Sequence, residues 1–276
     1  MFQGRKGLRS IVPAIALGCV VAAPVWAAPG DPLGGDDTGC APSSKQGLSC
    51  ALKVHALLAK LRRAGLTCHL AQDSQAFKTG MSSPGFHNAE VNCELGPSGT
   101  SAKEKFDAIM AKLAFACDAT VVANGNARRD IILGDASTAG SLDSLNAAVF
   151  CDATSGLEID PGTNVGFIPS TPEHYKCSVV VAKLQSRLEY AVAKCHQRLA
   201  KAIFSGKVFD EDACEDTGIK SALAKYDSKI AAYVSAGICP VCLTDAMSPT
   251  NATALGLSTV ANADAQLQEI FICPGP

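Results

Sequence analysis

The chain has 276 residues, with 24 Lys and Arg against 26 Asp and Glu, and its formal net charge is −2. It contains no basic run long enough to follow a phosphate backbone, which argues against a nucleic-acid partner. Hydrophobic residues make up 47% of the chain but aromatic residues only 5%, so we expect thin apolar layers that need covalent reinforcement.

Residues 1–27 are typical of an export signal. Basic residues precede the apolar run "IVPAIALGCVVAAPVWA", and Val25 and Ala27 stand at the positions that define cleavage before Ala28. The run is too short and too interrupted by proline for a comfortable membrane span. A lipoprotein acylated at Cys19 and an N-terminal core helix are the alternatives. We therefore predict a secreted or periplasmic protein with no transmembrane segment in the mature chain.

Cysteine number and spacing indicate a disulfide framework built on a repeat. Cleavage before Ala28 leaves 12 of the 13 cysteines, and an even number in an exported protein favours disulfides over metal sites or catalytic thiols. Five cysteines recur in order: Cys50, Cys68, Cys93, Cys117 and Cys151 are followed by Cys177, Cys195, Cys214, Cys239 and Cys273. The offset is 127 for the first two and 121 or 122 for the others. His69 recurs as His196 at the same offset, so the sequence predicts two copies of one unit.

The repeat and the composition divide the chain into five segments. We predict a signal peptide at 1–27, a flexible lead-in at 28–49, helical unit 1 at 50–151, a linker at 152–176 and helical unit 2 at 177–273. The lead-in is rich in Gly, Asp, Pro and Ser, and the linker contains repeated prolines.

The first cysteine pair of each unit marks a long helix. Eighteen residues are five turns of an α-helix, so Cys50 and Cys68 lie on one face together with Val54, Leu57 and Leu61. The second copy has the same stripe at Val181, Leu184 and Leu188. The two cysteines of a pair are about 27 Å apart along the helix, whereas a disulfide needs Cα atoms within about 7 Å. Each cysteine must therefore bond to another segment.

Two further helices follow in each unit. Ser101 and Glu104 have the form of a capping box. The stripe after it is Phe106, Met110, Leu113 and Cys117, and its counterpart in the second copy is Ile219, Leu223, Tyr226 and Ile230. A third, shorter helix leads to Cys151 in one copy and to Cys273 in the other. We predict an all-α fold of two tandem disulfide-stapled units with about three helices each.

Antiparallel packing of the first two helices predicts the pairing of most cysteines. It brings the start of the first helix near the end of the second. The expected disulfides are Cys50–Cys117, Cys68–Cys93, Cys177–Cys239 and Cys195–Cys214. The remaining cysteines complete self-contained units if they pair as Cys40–Cys151 and Cys242–Cys273. A cross-link between the units through these same four residues stays open.

The candidate functional residues are few. His69 and His196 each follow a cysteine and are possible metal ligands, but no second ligand cluster with zinc spacing follows, so we interpret both as structural or solvent-facing. The acidic run "DEDACED" at 210–216 lacks the spacing of a calcium loop and is interpreted as helix-start charge. No metal, cofactor or catalytic residue is predicted, since the catalytic serine motifs and the phosphate-binding loop are missing.

The motif "CPVC" at 239–242 is the only Cys-x-x-Cys and is a candidate redox dithiol. Cys239 has a matched counterpart in Cys117, and no thioredoxin-like context surrounds the motif. Structural disulfides are therefore the favoured interpretation for Cys239 and Cys242.

The unit "KC…AKCHQRLAKAIFSGKVFDEDAC…KYDSKI…CPVC…IFIC" resembles uncharacterised exported, cysteine-rich helical-repeat proteins of environmental bacteria. The resemblance is best in the second unit, because the first has Thr120 where Cys242 would fall. It implies export and a helical fold and brings no activity or functional residues. Our leading hypothesis is an exported, non-enzymatic binding or structural protein with an extracellular or periplasmic partner. The alternatives are a carrier of an apolar small molecule and thiol-disulfide exchange at CPVC.

Overall fold

The computed structural model describes residues 28–97, 99–160 and 165–274. The predicted signal peptide and Cys19 lie outside the described residues. Within the described parts of the chain, no helix combines the length and the apolar character that crossing a membrane requires.

The described residues form ten α-helices and two short antiparallel strand pairs. The helices of the first half are α1 (Lys45–Thr79), α2 (Pro84–Glu94), α3 (Ala102–Leu113), α4 (Ala119–Ile132) and α5 (Leu142–Val149). Those of the second half are α6 (Pro172–Phe204), α7 (Glu211–Glu215), α8 (Ala222–Ser235), α9 (Val241–Thr244) and α10 (Ala252–Ala265), followed by a 3₁₀ turn at Leu267–Glu269. The strand pairs are β1 (Pro32–Gly34) with β2 (Asp37–Cys40), and β3 (Leu157–Glu158) with β4 (Phe167–Ile168). The chain is mostly helical, as the predicted all-α class requires.

The helices are more numerous than predicted, with five in each described half instead of about three. The capping box that starts α3 is present, since the backbone N–H of Glu104 donates to Ser101 Oγ at 3.2 Å. In contrast, Ile219 lies before α8 and is exposed, outside the stripe assigned to it. Helix α4 is one of the additional helices, and it packs closely on α1 at Gly125. A Cβ at that position would lie 2.8 Å from Val54 Cγ1.

The two long helices, α1 and α6, run antiparallel and pack against each other. Two hydrophobic clusters show the direction. One contains Leu48 near the start of α1 with Ile203 near the end of α6, and the other contains Ala76 near the end of α1 with Val181 near the start of α6. Each core thus combines both halves of the chain. The predicted units are therefore not packed as two separate bodies.

A charged pair marks the point where α1 and α6 cross. Arg62 Nε lies 2.6 Å from Glu189 Oε1, and the two residues are 127 positions apart, the same offset as the first matched cysteines. When equivalent positions of two copies meet, the contact lies on a local twofold axis. The crossing of α1 and α6 has this property.

Residues 28–49, which we expected to be flexible, contain an ordered hairpin held to the other end of the chain. The backbone N–H of Cys40 donates to the carbonyl oxygen of Phe271 at 2.8 Å, and Cys40 bonds to Cys273. Gly39 (φ 99°) is required here, because a Cβ would lie 2.5 Å from the same carbonyl oxygen. The linker hairpin is held similarly to the first half, with the N–H of Phe167 donating to the carbonyl oxygen of Phe150 at 2.6 Å.

Four of the six disulfides are those expected from helix packing: Cys50–Cys117, Cys68–Cys93, Cys177–Cys239 and Cys195–Cys214. The other two differ from the self-contained pairing of Cys40–Cys151 and Cys242–Cys273, which is wrong. They are Cys40–Cys273 and Cys151–Cys242, and both join the two halves. The reason is that each core combines both halves, which places Cys40 before α1 beside the segment after α10, and Cys151 after α5 beside Cys242 on α9.

These two cross-links predict that the halves stay covalently joined after the linker is cut. A protease site inserted at the exposed Thr154 would give one band on a non-reducing gel and two fragments after reduction. The matched control is the same nicked protein with Cys40→Ser, Cys273→Ser, Cys151→Ser and Cys242→Ser, which should separate without reductant. Separation of the nicked parent chain under denaturing, non-reducing conditions would contradict the pairing.

Candidate metal centres

Each half of the chain uses a disulfide to bring a histidine next to a glutamate. Cys68 precedes His69 on α1, and its partner Cys93 precedes Glu94 on α2. The bond fixes the two helices at that point, so the side chains one residue further along lie close together. Cys195, before His196, bonds in the same way to Cys214, before Glu215, on the five-residue helix α7.

In the first half, carboxylates from two helices converge on one nitrogen. His69 Nε2 lies 3.1 Å from Glu94 Oε1, 3.7 Å from Glu90 Oε1 and 3.4 Å from Asp143 Oδ1. Glu90 and Glu94 are four residues apart on α2 and therefore share a face, while Asp143 is in the first turn of α5. We call this set of four residues centre 1.

In the second half, four carboxylates surround the equivalent nitrogen. His196 Nε2 lies 3.1 Å from Glu215 Oε2 and 3.1 Å from Asp264 Oδ1. It lies 3.4 Å from Glu211 Oε1 and 3.4 Å from Asp37 Oδ1. These five residues, which we call centre 2, come from the first hairpin and from α6, α7 and α10.

The two centres use equivalent sequence positions. His196 follows His69 by 127 positions, and the three acids Glu90, Glu94 and Asp143 recur as Glu211, Glu215 and Asp264, each at an offset of 121. Asp37 adds a fourth carboxylate to centre 2, because the residue at its offset of 127 is Asn164, which has no carboxylate. The shared set is therefore one imidazole and three carboxylates.

Both centres are buried, and much of their hydrogen-bonding capacity is unused. The side chains of His69 and His196 are 1% and 0% exposed, and those of Glu90 and Glu94 are 6% and 7% exposed. A single imidazole nitrogen faces the acidic oxygens of each centre, and no other N–H group of the described residues donates to Asp37 Oδ1, Glu94 Oε1, Glu215 Oε2 or either oxygen of Glu211. Buried polar atoms without a partner cost free energy, so a folded protein needs something to compensate them.

Burial raises the pKa values of Glu211, Glu215 and Asp37 in centre 2. Burial first, and then the carboxyl of Glu215, raises the pKa of Glu211 to about 9. Burial and the neighbouring carboxyls of Asp264 and Asp37 raise the pKa of Glu215 to about 8, although Glu211 lowers it. The pKa of Asp37 rises to about 7 through burial, which outweighs the lowering effect of His196. These groups cannot all ionise together near pH 7 without a compensating cation.

Centre 1 has the same electrostatics with a smaller acid set. Burial raises the pKa of Glu90 to about 8, opposed by His69 and reinforced by Glu94 and Asp143. For His69, burial lowers the pKa, but contact with Glu94 and the charges of Glu90 and Asp143 outweigh it and raise the pKa to about 9. In the metal-free centre, the protonated imidazole of His69 is therefore the positive charge that balances the carboxylates.

The geometry of both centres fits a divalent cation. One oxygen or nitrogen from each of His69, Glu90 and Asp143 lies within 4.8 Å of the others, and the same holds for His196, Glu211 and Glu215. Ligand bonds of about 2.1 Å at right angles place neighbouring ligand atoms about 3.0 Å apart, close to the separations observed. One imidazole with several carboxylates suits Mn²⁺, Fe²⁺ and Zn²⁺ better than a thiophilic metal, and all 12 described cysteines are in disulfides.

His69 and His196 are buried and carboxylates surround both rings, so neither is solvent-facing as one interpretation had it; the interpretation of both as structural stays a prediction. The ligands come from other helices, so a search for zinc spacing around the cysteine could not find them. The acidic run at 210–216 does lie at a helix start, with Glu211 and Asp212 in the first turn of α7. Asp210 caps α7 as expected of a helix-start charge, but Glu211 and Glu215 point to His196.

A signal for the missed acids is present in the sequence. "EVNCE" at 90–94 and "EDACE" at 211–215 share the form Glu-x-x-Cys-Glu at the offset of 121 that relates Cys93 to Cys214. These repeated acids beside the repeated cysteines are among those that face His69 and His196. By contrast, Cys239 and Cys242 bond to Cys177 and Cys151, so in this structure they form no disulfide with each other.

No protein-family model matches the sequence, and comparison with curated proteins and with solved structures found no similar protein. The functional argument therefore depends on the chemistry of the two centres.

Proposed function

We propose that this chain is an exported, non-enzymatic protein that binds a divalent transition-metal cation at each of two equivalent centres on a duplicated, disulfide-stapled helical scaffold. The observation that carries the proposal is the repetition of one ligand set. Two separate, buried clusters each have a histidine and three acids at matching sequence offsets. In neither cluster can one histidine neutralise all of the carboxylates.

Duplication of one unit explains why the sets agree. The offsets that relate the acids also relate the neighbouring cysteines, and α1 and α6 cross where equivalent residues meet. A structural histidine needs one carboxylate partner, whereas each of these has three or four. Retention of three acids in both copies supports a role that each copy performs.

The number and burial of the ligands favour binding over catalysis. A catalytic metal site keeps a coordination position open for substrate, typically with three protein ligands. Centre 2 offers five protein groups, and His196, Glu211 and Glu215 are all buried. Such a site holds a cation without presenting it to a substrate.

Exposed acids provide an entry path to centre 2. Asp36 and Asp212 are exposed, and each has an oxygen within 4.8 Å of an oxygen of Glu211. Exposed carboxylates attract a hydrated cation and supply oxygens as it loses water. We expect this centre to bind the cation more tightly than centre 1, because it has the additional ligand Asp37.

The test is metal stoichiometry in the oxidised chain that begins at Ala28. After removal of metal with a chelator and loading with Mn²⁺, elemental analysis should give two equivalents per chain, and titration calorimetry should show two affinities. His69→Ala and His196→Ala should each remove one equivalent, and the double variant both. His174→Ala is the matched control, because His174 is on α6 but in its first turn, away from centre 2.

If both single histidine variants still bound two equivalents of Mn²⁺ per chain, the proposal would be wrong. Competition with Zn²⁺ and Ca²⁺ in the same titration identifies the preferred cation. If Ca²⁺ displaced Mn²⁺ from both centres, an oxygen-only site would be indicated and the imidazole would have no role.

Two parts of the proposal have their own tests. Export predicts that the intact mass of the secreted protein starts at Ala28 and lacks about two mass units for each disulfide. Thiol-disulfide exchange at CPVC, the enzyme alternative, predicts that Cys239 and Cys242 become reduced well before the other ten cysteines in mild reductant. Their bonds to two different segments favour a structural role instead.

A further inference from the structure

A cavity of about 300 Å³ lies between α1, α4, α5, α6 and α10, beside the crossing of the two long helices. Arg62 and Glu189 line it, so it lies at the contact between the two halves. The volume corresponds to about ten water molecules at roughly 30 Å³ each, which is room for about ten non-hydrogen atoms of a ligand.

The cavity is lined by Arg128, a buried cation that does not use all of its hydrogen-bond donors. Arg128 is only 8% exposed, and its Nη2 has no hydrogen-bond partner among the described residues. Burial first, and then the charge of Arg62, lowers the pKa of Arg128. A buried guanidinium with an unpaired N–H group destabilises the folded protein, and a bound anion can accept a charge-assisted hydrogen bond from that group.

The charges around the cavity are balanced, but hydrogen-bond donors in its wall are unused. Its charged lining groups among the described residues are Arg62, Arg128 and Glu189, and Glu189 pairs with Arg62 and also attracts Arg128. Glu269, half-buried, lines a smaller adjoining cavity of about 50 Å³ and also attracts Arg128. Gln185, another buried lining residue, has an unpartnered Nε2 that offers a second donor.

The rest of the wall combines apolar side chains with the polar residues Asn146, Ser186, Ser258, Thr259, Asn262 and Gln266. Leu66, Leu142, Leu145, Val149 and Ala182 contribute side chains from three helices. A bare inorganic anion would leave this surface unfilled, and a neutral hydrocarbon would leave the guanidinium unpaired. A molecule with a carboxylate at one end and an apolar chain satisfies both.

We propose that this cavity binds a small organic monocarboxylate, with its carboxylate at Arg128 and Gln185 and its apolar part against the leucines. The proposal is independent of the metal centres and sharpens the alternative of an apolar carrier, because the ligand is an anion with an apolar chain. Octanoate, with ten non-hydrogen atoms, is the probe that matches the volume, and octanol has the same chain without the charge.

The experiment measures binding of octanoate and octanol by titration calorimetry to the oxidised chain. We expect saturable binding of octanoate and at least about tenfold weaker binding of octanol, the factor of a charge-assisted hydrogen bond. Arg128→Gln should weaken octanoate binding at least about tenfold. Arg63→Gln, which changes the exposed neighbour of Arg62, is the control that should leave binding unchanged.

A second variant tests the cavity without touching the charge. Ser186→Leu adds bulk to a half-buried lining position on α6 and should block octanoate. Melting curves establish that each variant is folded. Absence of octanoate binding, equal binding of octanol, or an unchanged affinity in folded Arg128→Gln would each overturn the proposal.

Discussion

Saturating Mn²⁺ should raise the melting temperature of the chelator-treated protein by roughly 15 °C or more at pH 8. A ligand present at about 1,000 times its dissociation constant stabilises the native state by about 4 kcal/mol per site, so two centres contribute about 8 kcal/mol. For a chain of this size, 1 kcal/mol shifts the melting temperature by about 2–4 °C. The physical reason is that the cation neutralises buried carboxylates which otherwise repel one another. Differential scanning fluorimetry with and without Mn²⁺ measures the shift.

The shift should depend on pH and on both centres. Metal ligands must be deprotonated, so the Mn²⁺ effect should be much smaller at pH 5, where Glu90, Glu211 and Glu215 retain protons. His196→Ala should lose the larger part of the shift, because centre 2 has more ligands, and adding His69→Ala should remove the rest. His174→Ala should keep the full effect. An equal shift in the double histidine variant would mean that Mn²⁺ stabilises the protein elsewhere.

The metal-free protein should lose stability as the pH rises from 5 to 9. The pKa values of Glu211, Glu215 and Glu90 are raised in the folded state to about 9, 8 and 8, above the ordinary value of 4.5. The folded state therefore binds more protons than the unfolded state across this window, and the free energy of unfolding falls as the pH rises. We expect a decrease in melting temperature of at least about 5 °C between pH 5 and pH 9.

His69 also makes the metal-free protein less stable as the pH rises. The pKa of His69 is raised from 6.5 to about 9, so its stabilising effect is complete below pH 6.5 and is lost as the pH rises through 9. The double variant Glu90→Gln with Glu211→Gln removes one buried acid from each centre and should flatten the profile. Glu173→Gln, an exposed acid at the start of α6, is the control. A metal-free protein that is most stable at pH 8 to 9 would contradict the assignment of buried, protonated acids.

Four disulfides could be predicted because both of their cysteines lie within one half of the chain. Their cysteines are separated by 19 to 67 residues, and helix periodicity together with antiparallel packing leaves few partners in reach. The other two span 91 and 233 residues. No local pattern indicates which distant segments meet, so the choice between bonds within and across the halves required the positions of α1 and α6.

The candidate centres likewise combine features that are visible in the sequence with features that only the tertiary structure shows. The two Cys-His pairs and the two Glu-x-x-Cys-Glu segments are visible as repeats, and the disulfides Cys68–Cys93 and Cys195–Cys214 connect them. Asp143 and Asp264, in contrast, are far from their histidines along the chain, and Asp37 lies in a segment that composition assigns to flexible structure.

The sequence by itself determined the helical class, the repeated positions and the four disulfides within the halves. Apolar period and cysteine spacing express these features locally, since they depend on which face of one helix is buried. Only the tertiary structure decided that both halves contribute to each core, that the first hairpin completes centre 2, and that the buried histidines face acids. Those features depend on which faces meet across long sequence separations, and that choice is made by the packing of α1 on α6.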